Sequence, residues 1–145
     1  MTRYGMVIDL DKCLGCHNCF MACKDEYVNN DWPPYSAAQP DMGQFWMRVE
    51  EIERGQCPKV KVAHIPQPCM QCNNPPCLVG VTGMAGYKRP DGIVIFDPAK
   101  SIGQHNMQTA CPYGVVYWSE KLSIPQKCTF CAHLLDRKWK EPRCV

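Results

Sequence analysis

The chain of 145 residues carries twelve cysteines, and eleven of them fall into four groups. The first group is Cys13, Cys16, Cys19 and Cys23, with gaps of two, two and three residues. The second is Cys69, Cys72 and Cys77, and the third is Cys111 alone, followed by Pro112. The fourth is Cys128, Cys131 and Cys144, while Cys57 stands apart. Three chemistries compete for such thiols: disulfides, structural zinc and iron–sulfur clusters. Disulfides need an oxidising compartment, and the first eleven residues lack the apolar stretch of an export signal. Thiols spaced by two residues are also too crowded for ordinary bridging. Zinc takes four ligands, usually from two separated pairs, so the first group over-supplies it. A cubane uses this spacing well. Three thiolates two residues apart wrap three irons of one cube, and the fourth, three residues on, points away to another cluster. By number, eleven thiols serve three 4Fe–4S clusters, and electron transfer is the chemistry expected.

Short elements must position these loops. Thirteen prolines and ten glycines imply a loop-rich chain with little regular structure. Residues 4–9 read as a strand leading into the first cysteine loop, and residues 20–27 as a helix carrying Cys23. Residues 45–52 and 60–65 alternate apolar and polar side chains and read as paired strands, joined through 55–58. Residues 66–76 read as loop, 92–97 and 115–118 as strands, and 104–110 and 128–136 as helices. The stretches 4–27 and 93–118 resemble each other, strand then loop then helix, and read as an internal repeat. Charged residues make up 21% and the net charge is +2, too weak and scattered for a nucleic-acid surface. The longest apolar runs, such as 92–96, fall far short of the roughly 20 residues that cross a bilayer.

The motifs QCNNPPC (71–77), DGIVIFDP (91–98), ACPYG (110–114) and KCTFCAH (127–133), with the four cysteine groups, resemble one family. They are similar to the four-cluster iron–sulfur subunits of the dimethyl-sulfoxide reductase family of molybdopterin oxidoreductases. The resemblance spans nearly the whole chain. It implies that cluster A takes Cys13, Cys16 and Cys19, plus a last cysteine of the fourth group. Cluster B takes Cys128, Cys131 and Cys144, plus Cys23. Cluster C takes Cys69, Cys72 and Cys77, plus Cys111.

The sequence departs from the family at one cluster only. Cluster D should draw on thiols at the positions held here by Val81, Ser101, Gln104 and Met107. All four are missing together, so cluster D is expected to be absent, with packing or surface roles for these residues. The remaining ligand of cluster A should lie a few residues past Val145, so the sequence is expected to be C-terminally truncated. Loss of the distal cluster resembles the small subunits of two-subunit molybdenum transhydroxylases acting on phenols. NDWPPY (30–35), CPYGVVYW (111–118) and CAHLLD (131–136) strengthen that likeness.

The expected fold is α+β, ferredoxin-like, a single domain of duplicated cluster-binding units with a strand pair inserted near 44–65. The expected partner is a large molybdopterin-binding catalytic subunit, so this chain has no substrate chemistry of its own. No nucleic acid and no membrane insertion are expected. The cytoplasm is the expected compartment, with export on a signal-bearing partner as the alternative. An electron-transfer subunit of another molybdopterin reductase or dehydroxylase is a second reading, and a free-standing multi-cluster ferredoxin a third. Cys57 reads as a plain thiol, and His17, His64, His105 and His133 as surface or supporting groups. The eight methionines read as core fillers, as do most of Trp32, Trp46, Trp118 and Trp139. Lys12, Lys24 and Lys127 adjoin ligands and could raise cluster potentials.

Overall fold

Frequent glycine and proline keep every regular element short. The computed structural model describes residues 2–145. Helix α1 spans Asn18–Tyr27 and buries Cys23 and Tyr27, four residues apart and therefore on one helix face. Strands β1 (Arg48–Gln56) and β2 (Lys59–Gln67) form an antiparallel hairpin, with Arg48 opposite Gln67 and Gln56 opposite Lys59. β3 (Gly86–Lys88) pairs antiparallel with β4 (Val94–Phe96), and Gly86 lies opposite Phe96. After the one-turn helix α2 (Asn106–Thr109), β5 (Tyr117–Ser119) pairs antiparallel with β6 (Ile124–Gln126). Helix α3 is Ala132–Leu135. Among the described residues the strands thus form three separate two-stranded sheets, the α+β architecture expected.

Several elements differ from expectation. Residues 4–9 form no strand: the Tyr4 amide donates to the Asp91 carbonyl at 3.0 Å, but no ladder follows and Val7 is 97% exposed. The outer edge of β4 that could have received it is taken by side chains, Gln71 on the Val94 amide and Lys127 on its carbonyl, and the chain instead tightens into a 3₁₀ turn at Leu10–Lys12, capped by the Asp9 carboxylate. The two expected repeat units therefore lack a common opening strand. The hairpin at 48–67 does form, and it is longer than its apolar alternation indicated. The last two helices are shorter, because the residues before α3 are spent on a tight loop: Phe130 and Cys131 both adopt positive φ. β3, β6 and a 3₁₀ turn at Pro76–Leu78 have too little pattern to be legible, and β6 even contains Pro125, which an edge strand tolerates.

β4 organises the interior. Its period of two sends Ile93 and Ile95 towards Ala132 and Leu135, and Val94 and Phe96 towards Cys77, Ala85, Met107 and Val116. A third apolar cluster joins Tyr27, Trp46, Met47 and Leu134 around Cys23 and Cys131. Two of the three cores therefore contain cysteines. Among the described residues no helix is long and apolar enough to cross a membrane.

Candidate metal centres

Tight backbone turns wrap the cysteine loops. Positive φ occurs at Gly15 and His17 in the first group, Gln71 in the second, and Phe130 and Cys131 in the fourth. Such turns aim backbone N–H groups inward, forming concavities suited to anions. The Phe130 amide donates to the Cys128 sulfur at 3.4 Å, and the Phe20 and Met47 amides favour the ionised forms of Cys19 and Cys23. Gly15 is required twice over. Its φ is +67°, and a Cβ there would meet the His64 ring at about 2.5 Å, so the first loop lies flush against β2.

The thiols converge in three places. At site A, Cys13 and Cys16 act electrostatically on Cys19. At site B, Cys23 from α1 faces Cys128, Cys131 and Cys144, more than a hundred residues away in sequence. At site C, Cys69, Cys72, Cys77 and Cys111 line one cavity, closed by Pro75, Pro76, Pro112, Val94, Val115 and Val116. Adjacent sites lie near enough to interact electrostatically, Cys144 with Cys19 and Cys128 with Cys69. The order is therefore A, B, C. Cys57 sits exposed at the hairpin end, outside all three.

The electrostatics make these sites poor places for free thiolates. Burial pushes Cys77 and Cys144 up to about 11 and Cys128 up to about 12, and neighbouring thiols add to the rise. Burial raises Cys23 further, and also Cys19 and Cys131. Such groups ionise together only around a strongly cationic centre that displaces their protons. No three His, Cys, Asp or Glu side chains among the described residues close on a single-ion site. At site C four sulfurs line one cavity, and soft thiolates in that arrangement suit an iron–sulfur cluster.

The positions that would have served a fourth centre are filled by protein. Met107 is fully buried and packs with Val81, Leu78 and Phe96. Ser101 is likewise buried. The Gln104 amide donates to the Thr82 carbonyl and hydroxyl, both at 3.1 Å.

Residues 60–145 match the family model described as a 4Fe-4S dicluster domain. The chain belongs to this family. It is 49% identical over 148 residues to the pyrogallol hydroxytransferase small subunit of Pelobacter acidigallici, covering all of this chain and 53% of that protein. It is 37% identical over 158 residues to a sulfite dehydrogenase subunit of Allochromatium vinosum, covering all of this chain and 65% of that protein. A menaquinone reductase iron-sulfur cluster-binding subunit of Nitratidesulfovibrio vulgaris is 33% identical over 153 residues, covering 90% and 59% respectively. The chain thus spans about half to two thirds of the length of these relatives.

Other side chains support the dicluster fold at close range. The fully buried Tyr27 hydroxyl hydrogen-bonds Thr129 Oγ1 at 2.7 Å and lies beside the Cys131 thiol, whose ionised form it favours. Gln71 ties loop two to loop four, donating to the Cys128 carbonyl at 2.9 Å and accepting from the Val94 amide at 2.8 Å. Neither was identified from the sequence: the four-residue spacing from Cys23 is a signal that could have found Tyr27, whereas Gln71 carries no distinguishing pattern. The histidines take supporting places: His133 stacks on Trp32 and hydrogen-bonds Glu26 at 2.9 Å, and His105 stacks on Trp118. Lys12 is exposed and paired with Asp9, Lys24 caps the Pro40 and Gly43 carbonyls, and Lys127 is buried.

Proposed function

We propose that this chain is the electron-transfer subunit of a molybdopterin-dependent oxidoreductase or transhydroxylase acting on phenolic substrates, and that it carries three 4Fe–4S clusters. Cys13, Cys16 and Cys19 serve cluster A; Cys23, Cys128, Cys131 and Cys144 cluster B; Cys69, Cys72, Cys77 and Cys111 cluster C. The observation that carries this reading is the meeting of thiols from distant segments at sites B and C, with A, B and C near enough in series to interact electrostatically. When bound, each cluster supplies a one-electron redox centre. The protein's part is to hold the sulfurs, exclude water from sites B and C, and direct backbone amides at the thiolates.

The segment matching the dicluster family contains Cys69 to Cys144, which accounts for most of sites B and C. The first cysteine group, upstream of it, adds site A. The packing of Met107 and Val81 supports the absence of a fourth cluster. We read the halves around α1 and α2 as duplicated units and the 48–67 hairpin as an insertion between them. A large molybdopterin-binding subunit is the partner and holds the catalytic chemistry.

The likeness to the hydroxytransferase small subunit favours phenols as substrates of the assembly, and the sulfite dehydrogenase likeness supports another molybdopterin enzyme as a second reading. Anaerobic purification of the complex tests both. About twelve iron atoms per chain are expected, with transhydroxylation of pyrogallol. About sixteen would refute the three-cluster reading. Sulfite oxidation without activity on phenols would favour the second assembly.

A further inference from the structure

Lys127 presents an unusual charge. Its side chain is 2% exposed, and its ammonium donates to the Val94 carbonyl at 2.5 Å and the Cys128 carbonyl at 3.1 Å. It also lies 5.0 Å from the centre of the Phe96 ring. Lys12 and Lys100 each pair with an aspartate; Lys127 has neutral carbonyls and an aromatic face instead. An ammonium taken out of water needs an anionic partner, because dipoles alone repay only part of its lost hydration. Val94, whose carbonyl it binds, lines the site C cavity beside Cys77, and Cys128, whose carbonyl it also binds, belongs to site B. The ammonium therefore stands at the wall between two sites.

We propose that Lys127 is the shared counter-ion of clusters B and C, a positioning residue whose fixed charge holds both at a higher reduction potential. This rests on the reading of sites B and C as cluster centres. Four thiolates around a cubane give a net anion in either oxidation state, and that anion balances the buried lysine. Reduction adds one electron, drawn from an external donor or from a neighbouring cluster, and no bond forms or breaks. The added negative charge stays beside the ammonium and is stabilised by it. Site A, whose neighbouring Lys12 is solvated, does not share the effect.

The test is a mediated potentiometric titration, followed by electron paramagnetic resonance, of the loaded complex with its partner. Lys127→Gln keeps an amide donor and removes the charge, whereas Lys127→Arg keeps the charge. Clusters B and C should move to lower potential in the glutamine variant, cluster A should stay, and arginine should restore both. If the glutamine variant loses iron from B and C while the arginine variant keeps it, the charge is needed to hold the clusters and the proposal stands. Unmoved potentials at B and C, an equal shift at all three, or equal iron loss in both variants would overturn it. A wild-type complex without cluster signals would sink the underlying functional reading, a separate result from any of these.

Discussion

Replacing Tyr27 by phenylalanine removes one oxygen from the wall of site B and leaves the ring where it is. The ring is held by Trp46, with centroids 4.6 Å apart, and by the edge of His133 at 5.4 Å, so packing survives. The hydroxyl hydrogen-bonds Thr129 Oγ1 and lies beside the Cys131 thiol, whose ionised form it favours. Its loss strands a buried threonine hydroxyl, which costs about 1–2 kcal/mol of stability. The effect on cluster B follows from the second neighbour, Cys131, taken as a hydrogen-bond acceptor in its cluster-bound thiolate form. A hydrogen bond to a charged acceptor contributes about 1.5–3 kcal/mol, and it strengthens when reduction makes the sulfur more negative. If roughly a third of that strength distinguishes the two redox states, the difference is about 0.5–1 kcal/mol. At roughly 59 mV per tenfold change for one electron, this lowers the potential of cluster B by about 20–45 mV.

The assay is the same potentiometric titration, resolved by cluster. Cluster B alone should shift, because Tyr27 touches neither Cys69 nor Cys13. A Thr129→Val control keeps the Tyr27 donor on Cys131 and should leave the potential of B close to wild type while costing similar stability. An unchanged potential in Tyr27→Phe, or equal shifts at all clusters, refutes the hydrogen-bond argument. So would a large shift in Thr129→Val, since that residue acts on the sulfur only through the tyrosine.

Two further predictions concern packing and charge. Met107→Ala should cost about 2–5 kcal/mol, as expected for a fully buried methionine, whereas Ser101→Ala should be neutral or slightly stabilising because the Ser101 hydroxyl is buried without a partner; denaturant midpoints of the loaded protein check both. Arg89 holds the Asp136 carboxyl down at about 2 against an ordinary 3.8, so the pair's contribution is complete above pH 3.8 and is lost as the pH falls towards 2. The gap in denaturant midpoint between the protein and Asp136→Asn should therefore close over that window, and a gap that widens with acid would contradict it.

The cysteine spacing made the site legible because it encodes geometry directly: loops of two residues fix which sulfurs can share a cube. The grouping of Cys23 with Cys128, Cys131 and Cys144, and of Cys111 with Cys69, Cys72 and Cys77, came from family resemblance, and the folded chain brings those thiols together. Helix α1 and the hairpin were readable because each strand or helix is about ten residues long with its own pattern. Residues 4–9 look like a strand by composition, but a strand needs an edge to pair with, and no local pattern encodes that edge. β3 and β6 are three residues each, too short for alternation to register. The burial of Lys127 was invisible as well, since its neighbours Val94 and Phe96 arrive from a distant upstream strand.

These shortfalls have one physical origin. Two-stranded sheets and one-turn helices are marginal by themselves in water, and the described residues hold three of the former and two of the latter. What joins them is the sulfur sites: Cys23 from α1 meets the C-terminal loop at site B, and Cys111 after α2 meets the second group at site C. The apolar cores follow the same map, with Cys23 and Cys131 in one and Cys77 in another. The raised thiols oppose ionisation in the metal-free chain, so metal loading must supply the free energy that deprotonates them, and that energy becomes part of folding. Local propensity therefore says little about this fold because its long-range order is carried by ligand sets. The same dependence explains why lost ligands would be replaced as a group. On the three-cluster reading the place of a fourth would be packed by protein, and Met107 and Val81 supply apolar contacts there.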